Sequence, residues 1–523
     1  LKWDSLVYHL QIPAQYAAAE KIFFYPENLY SGFPQLAGML YTWAIALGSV
    51  STAATFGWAV GLVMFVGVEG FSRRIFGPRT AWLAPAILLS GFSISQAMSW
   101  AYVDLWVMFF GLIMLISLTH YCSSRRRAWL ILAAVMVGFA IGTKYTAGAL
   151  LFAGALMLLP LWDRVARREV TPQGSWLKHT FIDWIILGGI AFAVVSPWLL
   201  KNLILVENLI YPAPYFTNGF DPWMQTFRIG PNASRSILND FLLPFEVTFF
   251  GIEGAIVAGK LEYGANVGPL MLALIPGLLL GWRHFNPNQK SSLIRLLVAC
   301  LGTWLIWSVA AHIADELMWP RHYYGVFPAG AILAVGGFEA ASSIRLKQVR
   351  IRRILGALVA LAFGLSLYAE VLSFVDANPL SVLVGKQTKA DYITQELGWY
   401  GEAIRLVNEL PPESQVLFLW EPRTLYCQDV SCYPDGTLSN WWYLQEVHKG
   451  SDDIHQALCG KGVSHVLLND LGLDVFQSME TSYGSEHWNA LEDFRGGRLE
   501  LLSEIGDSYS LYALDCSVVT IND

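Results

Sequence analysis

Charge is scarce in this chain of 523 residues. Asp, Glu, Lys and Arg make up 14%, against about 25% in ordinary soluble domains. So little charge excludes a disordered chain. The formal net charge is −7, so nucleic-acid binding driven by overall charge is excluded as well. Only six residues are cysteine, too few at this length for a disulfide scaffold. No DxD motif occurs, which removes the commonest metal signature of nucleotide-sugar chemistry. The C-terminal part has neither a P-loop nor a glycine-rich dinucleotide fingerprint. What is plentiful is apolar: 54% of residues, with a mean hydropathy of +0.43. The expected fold class is mainly α, a polytopic transmembrane helical bundle with something soluble attached.

The charges are unevenly placed. From Asp376 onward, 23 acidic residues face 8 basic ones, a balance of −15 that leaves +8 for residues 1–375. Three segments follow: an outer loop with in-plane helices over 1–51, a helical membrane domain over 52–375, and a small soluble α/β domain over 376–523. The chain opens at Leu1 and residues 1–35 already read as loop. A first membrane helix is expected upstream of them.

A spanning helix needs about 20 apolar residues. Ten stretches qualify: 52–72, 79–98, 102–121, 128–142, 145–162, 181–200, 265–282, 293–312, 323–341 and 352–374. Pro34–Leu47 is too short to span and reads as a helix lying at the membrane surface. Leu6–Ala19 reads as a second. Lys and Arg cluster in every second connection: Arg73/Arg74/Arg79, Arg125–Arg127, Arg164–Lys178, Arg283/Lys290/Arg295 and Arg345–Arg353. The positive-inside rule places these in the cytoplasm. The expected location is the cell (inner) membrane, with residues 1–51, the turns at Asp104, Lys144 and Arg321, and the tail on the outer face.

Four cysteines lie in the tail, at 427, 432, 459 and 516. They allow three disulfide pairings. Cys427 and Cys432 are the closest pair, and a disulfide suits them better than a metal. Gln415–Trp420, His465–Asn469 and Ser510–Leu514 read as buried strands, and Ala390–Leu410 and Asp452–Cys459 as helices. The WWY at 441–443 reads as aromatic core or as a surface for sugar or lipid.

Carboxylates at the outer boundary carry the chemistry. Asp4 stands in WDSLVYHL and Asp104 in SWAYVDLWVMFF. A carboxylate at that depth is costly unless it faces a cavity, and it can take a proton from an attacking hydroxyl. The plain alternative is a helix cap at Asp104 and a solvated loop residue at Asp4. Lys144 in GTKYT and Arg321 in MWPRHYYG break a face otherwise poor in cations, which also carries Lys201 at a helix end and Arg228 in the loop. They suit a phosphate, or they snorkel as basic residues at helix ends do. His312, Asp315, Glu316 and His322 leave a divalent metal open, though their spacing fits no strong ligand pattern.

The order of these parts resembles the GT-C membrane glycosyltransferases, specifically the bacterial branch similar to protein mannosyltransferases and aminoarabinose transferases. WDSLVYHL, FFYPENLYSGFPQ, AYVDLW, GTKYT, SPWLLKNLILVENLIYP and PRHYYGVFP carry the resemblance. It implies transfer of a sugar, with inversion, from a polyprenyl-phosphate donor to a lipid, glycan or protein acceptor among membrane lipids. By the same resemblance Asp4 is the general base, and Asp104 supports the acceptor or a metal. Lys144 and Arg321 hold the carrier phosphate, and Tyr8, His9 and Tyr324 line the cavity. Asp4 and Asp104 are then expected to face one hollow. The chain departs from the pattern at Asp4–Ser5, where an acidic pair is usual, and at Gly32–Phe33–Pro34, and it has no WWDYG motif. A non-catalytic subunit of a larger assembly and a secondary transporter are the competing classes.

Overall fold

A bilayer interior tolerates backbone only when its polar groups bond internally. Helices long and apolar enough for this are the main product of such a composition. The computed structural model describes residues 2–167, 176–211, 235–249, 256–257, 260–261, 267–313, 315–344, 350–448, 450–479 and 484–517. Six of its helices are long and apolar enough to cross a membrane: Val50–Phe76, Asp104–Ser124, Lys178–Val206, Pro287–Ile313, Pro320–Ser342 and Ile351–Ala377. The protein is therefore a multi-pass membrane protein.

The other four expected spans fall on shorter pieces. Residues 79–98 form Leu83–Leu89 and Phe92–Ala97. The break is at Gly91, where a Cβ would come within 2.6 Å of the Val267 carbonyl group. Residues 128–142 lie in Arg127–Thr143, and 145–162 are divided between Gly148–Met157 and Leu161–Arg167. Residues 265–282 form Pro269–Leu274 and Gly277–Gly281. Pro276 between them has no N–H to continue the ladder.

The chain divides into two units. One comprises Leu1–Phe33, Asn202–Arg228 and Val375–Asp523, the other Pro34–Lys201 and Ile229–Phe374. The helix Leu36–Leu47 belongs to the second, with the membrane helices, and not to the loop that precedes it. Its Tyr41 is fully buried, and the Tyr41 hydroxyl donates to the Tyr102 carbonyl at 3.0 Å.

In the membrane unit small residues let backbones touch, as they commonly do between membrane helices. A Cβ on Gly111 would meet the Gly325 carbonyl oxygen at 2.1 Å, and one on Gly337 the Leu274 oxygen at 1.8 Å. The apolar window of Ile351–Ala377 is only 11% buried by protein. Its exposed leucines and valines are the surface expected against lipid.

The first unit carries a five-stranded sheet in the order Ser431–Tyr433, Gln415–Leu419, His465–Asn469, Tyr509–Leu514, Leu499–Ile505. The first three strands are parallel and the last two pairings antiparallel. Both faces are covered. Leu417, Leu419, Val466 and Leu468 pack on one side, and Val416, Phe418, Leu467 and Leu511 on the other. This explains why the central strands read as unbroken apolar runs rather than alternating ones. Trp441 is fully buried in the first of these cores and donates to the His487 carbonyl, so this tryptophan is aromatic core. The disulfides are Cys427–Cys432 and Cys459–Cys516.

Asp435 is wholly buried in this domain. It accepts backbone N–H bonds from Trp420 at 2.9 Å, Ser439 at 2.8 Å and Asn440 at 3.1 Å. Burial outweighs these bonds and pushes its carboxyl up to about 7. Between about pH 4 and 7 the folded state then holds a proton that the unfolded state releases. Stability from this group falls as pH rises through that window. Thermal melts at pH 5.5 and 8 should show the higher Tm at 5.5. Asp435→Asn should flatten that difference, and an equal slope in the variant would contradict the assignment.

Candidate active site

The membrane unit gathers four of the expected residues. Asp104 is the first residue of its helix, and its side chain is only 1% exposed. Lys144 ends the helix Arg127–Thr143 as its C-cap and donates from Nζ to Asp104 Oδ1 at 2.7 Å. Asp104 Oδ2 is buried and has no hydrogen-bond partner among the described residues. A bare carboxylate oxygen in such a place costs stability.

The turn Pro320–Val326 packs on the helix that starts at Asp104 and on the turn Tyr145–Ala147. The Gly111–Gly325 approach makes the first contact possible. Arg321 is buried in that turn. Its guanidinium lies 5.2 Å from the Tyr102 ring and 4.4 Å from the Trp319 ring. Tyr324, also buried, packs against Phe327 at 5.2 Å. Tyr41 braces the turn before Asp104: it donates to the Tyr102 carbonyl and accepts from the Trp106 indole N–H at 3.2 Å. Tyr41, Tyr102 and Trp319 were not singled out by the sequence. The signal for Tyr102 and Trp319 was there in the aromatic residues flanking both charged positions, whereas Tyr41 lies 61 positions before Tyr102 and had none.

The first unit holds the other three. Asp4 accepts from the Tyr8 hydroxyl at 2.6 Å. Tyr8 stacks on Tyr30 at 4.1 Å and meets His9 at 4.2 Å. Ser5–His9 is a single π-helical turn, closed by Leu10 N–H to Ser5 O at 2.9 Å. Such turns occur often at functional sites. Asn28, fully buried, ties this turn to the next loop: Nδ2 donates to Val7 O at 2.7 Å, and Oδ1 accepts from Tyr30 N–H.

The same unit anchors the loop to the tail. Arg423 lies between the Trp3 ring at 4.5 Å and the Tyr400 ring at 3.9 Å. It is forked onto buried Glu421 by two bonds of 2.7 Å, the strong geometry for this pair. Tyr509 donates to the same carboxylate at 2.6 Å. The Tyr25 hydroxyl donates to the Cys432 carbonyl at 3.3 Å. Trp3 and Arg423 are 420 positions apart in the chain, so nothing local could signal their meeting.

Of the residues that left a metal open, His312 bonds Asp240 Oδ2 at 2.9 Å. The side chains of Asp315 and Glu316 lie outside the described residues, as does Arg228. Among the described residues one group has metal-ligand spacing, His455 with Cys459 and Cys516. Its two sulfurs are joined as a disulfide.

The family model for dolichyl-phosphate-mannose-protein mannosyltransferases matches residues 36–200, the stretch that holds Asp104 and Lys144. No curated protein sequence matches the chain. Two solved structures of ArnT from Cupriavidus metallidurans are similar to it over almost the whole length. The apo form is 13% identical, covers 98% of this chain and 93% of its own, and has a TM-score of 0.57. The form bound to undecaprenyl phosphate is 14% identical, covers 99% and 95%, and has the same TM-score. Helices, turns and tail together thus give this chain the fold of the GT-C membrane glycosyltransferases.

Proposed function

We propose that the protein is a glycosyltransferase that moves a sugar from a polyprenyl-phosphate carrier to an acceptor at the outer face of the cell membrane. The observation that supports this most is the buried Asp104–Lys144 pair with Arg321 in the adjoining turn, on a fold shared with an undecaprenyl-phosphate-bound ArnT. Lys144 and Arg321 hold the carrier phosphate. The bond from the anomeric carbon to that phosphate oxygen breaks, and the acceptor oxygen attacks from the opposite side. Asp4 takes the acceptor proton, with Tyr8 holding the carboxylate in place, and the phosphate leaves as an anion beside the two cations. Asp104 orients Lys144 through the bond from its Nζ. Stabilisation of a leaving anion by fixed donors is commonly the largest single contribution to such catalysis.

The test is transfer by the purified full chain supplied with polyprenyl-phosphate sugars. Product and free polyprenyl phosphate should form together. Arg321→Gln should raise KM for the carrier by about 10-fold, as expected for one lost charge-assisted contact of about 1.4 kcal/mol. An unchanged KM would remove Arg321 from phosphate binding. No transfer from any carrier, with fixed partners copurifying, would favour a non-catalytic subunit instead.

A further inference from the structure

The membrane unit has a polar cavity at the far end of the helix that begins with Asp104. Its volume is about 420 Å³. Arg74, His120, Asn288, Ser292, Asp163 and Arg295 are among the residues that line it. This is the end of the bundle where the Lys/Arg clusters lie, so the positive-inside rule puts it on the cytoplasmic side. The proposed sugar transfer uses none of these residues.

Arg295 is the unusual member. It belongs to the helix Pro287–Ile313, and its side chain is 1% exposed. Burying a guanidinium is costly unless all its donors find partners. Nη2 donates to Asp163 Oδ2 at 2.7 Å and Nη1 to the Met157 carbonyl. Nε has no partner among the described residues. Asp163 is already committed: its Oδ1 accepts from Ser291 at 2.8 Å, and Arg125 approaches Oδ2 at 3.8 Å. One carboxylate is thus shared by two guanidiniums, and Arg74 brings a third cation to the cavity. The balance favours an anion, and Asn288 and Ser292 add an amide and a hydroxyl that can donate to it, in a lining that also holds His120, Cys122 and the apolar Phe71 and Ile75.

We infer that this cavity binds a phosphate-bearing ligand, held by Arg74, with Asn288 and Ser292 at its edge and the buried charge of Arg295 in its wall. Charge-assisted bonds from arginine to phosphate are the strong ones. Two sources share that chemistry, the headgroup of an anionic phospholipid and free phosphate.

Native mass spectrometry of the full chain in detergent can separate them, with phosphatidylglycerol, inorganic phosphate and diacylglycerol as probes. One tightly held phosphatidylglycerol or phosphate is expected, with no comparable binding of diacylglycerol. Competition by inorganic phosphate assigns a free-phosphate site, and its failure to compete assigns the headgroup. Arg295→Gln risks misfolding, so two exposed positions carry the test. Arg74→Gln should weaken binding about 10-fold. Asn288→Asp should do the same while leaving the fold as stable or more so, because an acidic residue suits the first turn of its helix. Arg73→Gln, which removes a neighbouring charge already paired with Glu69, should change affinity little. The inference fails if neither phosphate probe binds, if Arg74→Gln and Asn288→Asp bind as the wild type does, or if Arg73→Gln weakens binding as much as they do.

Discussion

Asp4→Asn is expected to lower sugar transfer by about 10²–10⁴-fold, the usual worth of a positioned general base, while the protein keeps its fold. The substitution keeps the shape of the side chain and one oxygen. That oxygen can still accept from the Tyr8 hydroxyl, which now bonds Asp4 at 2.6 Å. The Tyr8–Tyr30 stack and the Asn28 bonds to Val7 and Tyr30 do not involve the carboxylate. The π-helical turn should therefore survive, and the melting temperature should stay within a few degrees. Tyr8→Phe removes the hydroxyl but keeps the stack, and a smaller loss of about 10-fold is expected. Activity of Asp4→Asn near the wild-type level would take Asp4 out of the chemistry.

The second large effect is on stability and is asymmetric. Lys144→Met should destabilise the membrane unit by about 3–5 kcal/mol, the usual result of stripping a buried charge of its partner. Asp104 cannot reach water, being 1% exposed, whereas Lys144 is 18% exposed and can turn its ammonium outward. Asp104→Asn should therefore cost less, about 1–2 kcal/mol. The double variant Asp104→Asn/Lys144→Met should recover most of what Lys144→Met loses, since no buried charge remains. Thermal unfolding in detergent of the three variants reads this directly. Equal losses in both single variants, or additive losses in the double, would mean that the pair is not the buried unit described.

The membrane character and the soluble tail were legible because both are carried by composition over long stretches. The Gln415–Leu419, His465–Asn469 and Tyr509–Leu514 strands were legible because burial on both faces leaves an unbroken apolar run. Ser431–Tyr433 was not, being three residues long. Leu499–Ile505 was not either, because it is an edge strand with most of its side chains outward. Gly91 and Pro276 did mark breaks in the expected spans, but hydropathy averaged over a window does not register a single residue. At the site, the individual charges were readable and their pairing was not. That Lys144 bonds Asp104 depends on two helices packing 40 positions apart, and the π-helical turn at Ser5–His9 has no periodicity that would distinguish it from an ordinary helix start.

The sandwich of Trp3, Arg423 and Tyr400 has a consequence for how the protein can be cut. A truncation before Asp376 would take away the clamp that grips the residue next to Asp4. Such a shortened chain would keep the described helices long enough to cross a bilayer, the last of them without its final two residues, and still lose control of the proposed proton acceptor. The tail is in this sense the far wall of a vise whose near jaw is the third residue, and its loss should register first in turnover rather than in membrane insertion.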